Sequence, residues 1–162
     1  MHANHPLLSS LEIVVKTTRD RQASLQSVAA LIRASANYRW VGLYDVDHAA
    51  GVVRNVTWNG PGAAEHPTFP LAQGLTSAAV AQKQIVNVGD VLADSRYLTA
   101  FANTRSEIIV PVSDREGSVV GTIDVESEEP NAFDQHVQDL LEACSLVIRP
   151  LWSPKRANIG LR

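Results

Sequence analysis

The chain has 162 residues, with 17 acidic side chains against 14 basic ones and a single cysteine. That length builds one domain with a real core, and a net charge of −3 with no basic stripe argues against nucleic-acid binding. The lone Cys144 excludes an internal disulfide, a Cys-rich zinc site and a dithiol redox pair. No basic or apolar segment in MHANHPLLSS suggests a secretory signal. Runs such as Ile108–Val112 and Ala78–Ala81 fall far short of the roughly 20 residues a membrane span needs. The expected setting is cytoplasmic, without membrane contact.

The first element reads as a helix, because Leu7, Leu8, Leu11, Val14 and Val15 recur at helical spacing, with Ser9 or Ser10 as its cap. A polar break at 17–21 separates it from a second stripe, Leu25, Val28, Ala29, Ile32 and Ala36. From Arg39 the period changes to two. Arg39–Val46 and Val52–Trp58 alternate around His48-Ala49-Ala50-Gly51 and predict a hairpin. The middle is irregular: a loop at 59–62, a short extended piece at 67–70, a helix over Leu75–Gln82 starting at Thr76 or Ser77, a brief strand at 85–88 and a helical turn at 94–97. Binding residues concentrate on such irregular segments when a rigid sheet supports them. Ser106–Val112 and Val119–Glu126 are strong strands around Asp114-Arg115-Glu116-Gly117. Asp134 then caps a helix whose stripe runs Val137, Leu140, Leu141, Cys144, Val147 and Leu151. Residues 153–162 read as a basic polar tail. This order predicts an α+β fold, an antiparallel sheet with its terminal helices on one face.

Strand arithmetic supplies the chemical signal. With 114–117 as a four-residue loop, Ser113 pairs with Ser118 and Glu107 falls opposite Asp124. Residues at i and i+2 share a face, so Glu126 joins those two acids. Ile108, Val110, Val112, Val119, Ile123 and Val125 take the helix side. Three carboxylates on one face repel, so solvent, a basic residue such as Arg96 or Arg105, or a cationic ligand must compensate. An exposed polar face and a pocket both fit this pattern; a pocket predicts a raised carboxyl pKa. Trp40 and Tyr44, four apart on the first strand, fall on the acids' side if Val41 and Leu43 face the helices. Aromatic walls beside acids suit a ligand with an ammonium group, although the rings could equally fill a second small core.

The string Trp40-Val41-Gly42-Leu43-Tyr44, Gly74-Leu75-Thr76, Ser106-Glu107-Ile108-Ile109-Val110-Pro111-Val112, Gly121-Thr122-Ile123-Asp124-Val125-Glu126-Ser127 and Phe133-Asp134 resembles a GAF domain over residues 22–152. Within that family it is most similar to the free methionine-(R)-sulfoxide reductase branch. The resemblance implies a six-stranded antiparallel sheet with helices behind and a ligand pocket in front, under the crossover segment. It implies a pocket formed by Trp40, Tyr44, Glu107, Asp124 and Glu126, with Thr76 at the helix start. The catalytic cysteines of that branch are matched here by Thr76, Ala100 and His66, and sulfoxide reduction by that route needs a thiolate and a resolving thiol. Cys144, on an apolar helix stripe, reads as an inert buried thiol.

No metal site or cofactor is expected. Of the five histidines only His2 and His5 have helical spacing, and no Gly-rich phosphate loop occurs. The expected function is a stand-alone GAF domain that binds a small molecule without catalysis, since 162 residues leave no room for an effector. The alternatives are a divergent reductase-like enzyme and a dimerisation module with a vestigial pocket. Residues 1–21 form an N-terminal helix suited to pairing two chains, so a homodimer is expected.

Overall fold

The computed structural model describes residues 4–17, 19–99 and 101–152; Ala100, His2 and the polar tail lie outside them. Among the described residues, α1 (Pro6–Thr17) and α2 (Arg21–Ala34) precede β1 (Trp40–Asp47), β2 (Val52–Asn59) and β3 (Thr68–Pro70). Next come α3 (Gly74–Gln82), β4 (Val86–Val88), β5 (Ser106–Ser113), β6 (Val119–Ser127) and α4 (Gln135–Ile148). The strands form one antiparallel sheet in the order β3-β2-β1-β6-β5-β4. This is the expected α+β architecture.

The helix ends follow from local chemistry. Asp20 and Asp134 cap α2 and α4 by accepting from the backbone N–H of Gln22 and Val137. α1 starts at Pro6 rather than at a serine cap, because a proline's fixed φ suits the first helical turn. α3 begins at Gly74, so Thr76 lies inside the helix and not at its cap. The short turn expected at 94–97 is present, with the Tyr97 N–H donating to the Asp94 carbonyl at 3.2 Å, and a 3-10 turn at Val91–Ala93, capped by the Asp90 carboxylate, precedes it.

α1, α2 and α4 cover one face of the sheet. Leu7, Leu8, Leu11, Leu25, Val28, Ile32, Leu140, Leu141, Cys144 and Ile148 meet Val41, Leu43, Ile108, Val110, Val112, Ile123 and Val125 there. The irregular middle covers the opposite face, where Trp40, Tyr44, Val53, Val119 and Val80 form one cluster and Leu75, Ala79, Val88 and Ile109 another.

The β5–β6 register departs from the sequence expectation by two residues: Glu107 lies opposite Glu126, and Ile109 opposite Asp124. Two single-residue changes produce this. The Asp114 carboxylate accepts from the N–H of Glu116 and Ser118, and the Asp114 N–H donates to the Ser118 carbonyl, so the loop holds five residues. The ladder then skips Val120, since Val112 pairs with Gly121 and Ser113 with Val119. Two odd shifts make an even one, and the acids keep their shared face. Val119, expected on the helix side, crosses to the other cluster, while Val120 packs against the helix-side core.

A 3-10 turn after α4 (Arg149–Trp152) folds back onto the sheet through Trp152. Its indole N–H donates to Asp45 (2.9 Å), Arg21 donates to the same carboxylate (2.6 Å), and the Arg21 guanidinium lies 5.5 Å from the Trp152 ring. The indole lies over Gly121, where a Cβ would come within 2.7 Å of the Tyr44 carbonyl oxygen and closer still to the ring. Gly121→Ala therefore lowers stability by about 1–3 kcal/mol, or about 2–4 °C in Tm per kcal/mol. Gly62→Ala, with open space around its Cβ position, leaves Tm within about 2 °C by thermal unfolding.

Candidate functional site

Glu107 on β5 and Asp124 and Glu126 on β6 converge because their side chains alternate onto the face away from the terminal helices. The same alternation on β1 brings in Trp40, opposite Glu126, and Tyr44, opposite Thr122. Gly42 lies between the two aromatic residues opposite Asp124, and any side chain there would collide with the Trp40 ring. Glycine thus lets the indole lie flat along the strand. The Trp40 N–H donates to the Gly62 carbonyl at 3.0 Å, which fixes the ring against the β2–β3 loop.

A cavity of about 40 Å³ lies over this face. Its walls include all six residues singled out in the sequence: Trp40, Tyr44, Thr76, Glu107, Asp124 and Glu126. The first turn of α3, Ala64, His66 and Phe69 from the preceding loop and strand, Leu98, and Ile109 on β5 complete it. At about 10–15 Å³ for each water, this holds a few waters or a small ammonium head. A longer ligand requires the irregular front segment to shift.

The acids are not an exposed polar face: Glu107, Asp124 and Glu126 are 8%, 4% and 1% exposed. Burial pushes Asp124 up to about 7, with Glu126 adding repulsion and the Thr122 and Thr76 hydroxyls opposing. Burial likewise raises Glu126 to about 7, against hydrogen bonding from Thr104 and the nearby Arg39 charge. Glu107 rises well above the usual carboxylate range through burial and the charges of Glu126 and Asp124. The Tyr44 hydroxyl is held firmly neutral by burial and by Asp124, Glu107 and Glu126. Thr122 donates to Asp124 at 2.7 Å and Thr104 to Glu126 at 3.0 Å.

The basic partners named from sequence are elsewhere. Arg96 pairs with Asp94 at 2.7 Å, and Arg105 is exposed. Arg39 is the cation near Glu126, but its guanidinium pairs with Glu128 and lies over the Phe101 ring, which in turn packs on Trp40 at 5.4 Å between centroids. Cys144 faces the terminal-helix core, across the sheet from the cavity, and burial pushes its thiol up to about 12. No group of three or more metal-ligating side chains occurs among the described residues.

Sequence reasoning missed Thr122, Thr104, Arg39 and the wall residues Phe69 and Leu98. Thr122 was reachable, since it stands two residues before Asp124 on the same strand face. Thr104 and Leu98 arrive from loops with no periodicity, Phe69 from the three-residue strand β3, and Arg39 from the residue just before β1. His66, noted in the sequence only as a cysteine position, stands exposed on the rim.

The chain matches the GAF domain family over residues 20–148. A solved structure of a free methionine-R-sulfoxide reductase from Neisseria meningitidis, in complex with its substrate, superposes with a TM-score of 0.83 at 29% identity, covering 90% of this chain and 86% of that one. A type II free methionine-R-sulfoxide reductase from Thermoplasma acidophilum is 31% identical, with a TM-score of 0.76 and coverage of 81% and 91%. GAF domain-containing protein A of Dictyostelium discoideum is 28% identical over 129 residues, which is 80% of this chain and 79% of that protein.

The buried acids set a pH dependence. Their pKa values are higher folded than unfolded, so between about pH 4 and pH 7 the folded state binds more protons than the unfolded one. Stability from these groups is therefore full below about pH 4 and is lost as pH rises through about 7. A tenfold change in proton affinity is worth about 1.4 kcal/mol, so the ligand-free protein loses on the order of a few kcal/mol between pH 5 and pH 8 in urea titrations. Glu107→Gln, which removes one charge from the cluster, flattens that slope.

Proposed function

The chain belongs to the GAF domain family, and we propose that it uses the cavity to bind a small molecule bearing an ammonium group, in a non-catalytic sensory or regulatory role. One observation carries this reading: three buried carboxyls line a cavity with aromatic walls, and among the described residues the only basic side chain in its lining is His66, exposed on the rim. An ammonium group supplies the missing positive charge, with Trp40 beside it as a cation–π partner. The Tyr44 hydroxyl and the Thr76 side chain offer further polar contacts. The similarity to reductases of free methionine-R-sulfoxide makes methionine and its sulfoxides the first ligands to test.

Absence of turnover follows from the thiol chemistry. Reduction of a sulfoxide through sulfenic acid requires a thiolate at the ligand. Thr76 and His66 line the cavity where the family resemblance places cysteines, and the lone Cys144 is protonated and buried across the sheet. The small volume of the cavity favours a second reading, in which the domain is a structural module with a largely filled pocket.

Calorimetry with L-methionine, its R- and S-sulfoxides and methylamine separates the readings. Binding is expected for at least one amine, weakened tenfold or more by Asp124→Asn and by Trp40→Ala. Heat from none of them favours the structural module. With NADPH and a thioredoxin system no consumption of free methionine-R-sulfoxide is expected. Turnover that survives Cys144→Ser would refute the thiol argument.

A further inference from the structure

Resting on the amine-site reading above, we infer that ligand capture at this cavity is coupled to proton release: the empty site keeps at least one proton among Glu107, Asp124 and Glu126, and an incoming ammonium takes its place. The geometry leaves little choice. Glu107 and Glu126 are direct cross-strand partners, which puts their Cβ atoms about 5 Å apart. Asp124 is the next residue on the same face of β6, opposite Ile109. All three are more than nine-tenths buried and line the same cavity. Carboxyls this close and this dry do not all ionise together.

The surrounding groups relieve the cluster only in part. From β1, Tyr44 is neutral, and Arg39 at the strand's start pairs with Glu128 and eases only Glu126 by its nearby charge. α3 carries no titratable residue and supplies only the Thr76 hydroxyl. The loop before β5 supplies the Thr104 hydroxyl, and the β2–β3 loop supplies His66 on the rim. Threonine hydroxyls stabilise carboxylates by donating but remove no charge. A proton on the cluster remains as the compensating positive charge, in line with the raised pKa of each of the three acids.

The exchange balances. An ammonium enters with charge +1, one carboxyl O–H bond breaks, and its proton leaves to solvent. The net charge of the cavity is unchanged, and the new carboxylate accepts a hydrogen bond from the ammonium. Below about pH 7 protons and ligand compete, so apparent affinity rises about tenfold per pH unit for one released proton. Above that it levels off until the amine itself deprotonates. An uncharged isostere gains nothing from the exchange, so the device also selects for cations.

Two measurements test this. Infrared titration of the ligand-free protein reads protonated carboxyl directly. A band titrating with a midpoint near pH 7, reduced in Asp124→Asn and in Glu126→Gln, is expected. A ligand-free protein with no such band above pH 5.5 overturns the inference whether or not ligands bind. Calorimetry of L-methionine at pH 6, about one unit below that midpoint, in buffers of different ionisation heat is expected to show close to one proton released, in the parent protein and in His66→Gln alike. Heats independent of buffer, or release that vanishes in His66→Gln, overturn it. The infrared band without any L-methionine binding overturns the amine reading of the site, and the coupling with it.

Discussion

Val120 stands outside the β5–β6 ladder, and the chemistry of the front face depends on that one displaced residue. A five-residue loop without it would set Glu107 opposite Val125, with a carboxylate and a valine competing for one face. The loop has five residues because the Asp114 carboxylate gathers the N–H groups of Glu116 and Ser118, and Gly117 takes the positive φ this closure needs. The bulge compensates by turning Val120 toward the helices and Val119 toward the front. Below it, every residue of β6 regains the face its alternation demands.

The two faces of the sheet then do different work. The helix side is continuous and apolar, closed by α1, α2 and α4 and locked at its end by Trp152 on Asp45. It gains its stability from burial. The front divides into two smaller clusters with the cavity between them, and the carboxyls sit at the junction. Keeping three acids there opposes folding at neutral pH, so the front face is tolerated because the back face is strong. Such a conflict between stability and local composition is the pattern of a binding site.

The aromatic residues join these parts. Trp40 touches Tyr44 and Phe101, Tyr44 touches Phe69, and Arg39 lies on the outer side of Phe101. Movement of the 101–104 segment is therefore felt at the Trp40 ring and, through Thr104, at Glu126.

The helix stripes, the hairpins and the side-sharing of Glu107, Asp124 and Glu126 were legible in the sequence, because periods of 3.6 and 2 are carried by the chain itself. So were Trp40 and Tyr44 as a pair, and Cys144 as a core thiol. The partner of Glu107 was not: loop length and bulge each depend on hydrogen bonds that residue types alone do not count, and only their even sum preserved the face. Nor were Thr104 and Leu98 legible, since loops place them without any period, nor Phe69 and Arg39, which stand on a three-residue strand and just before β1, too little chain for a period to show what they face. Whether the acids meet water or a closed cavity was decided by tertiary structure alone. Alternation determines which side a residue faces, and only the packing of a distant segment determines what covers that side.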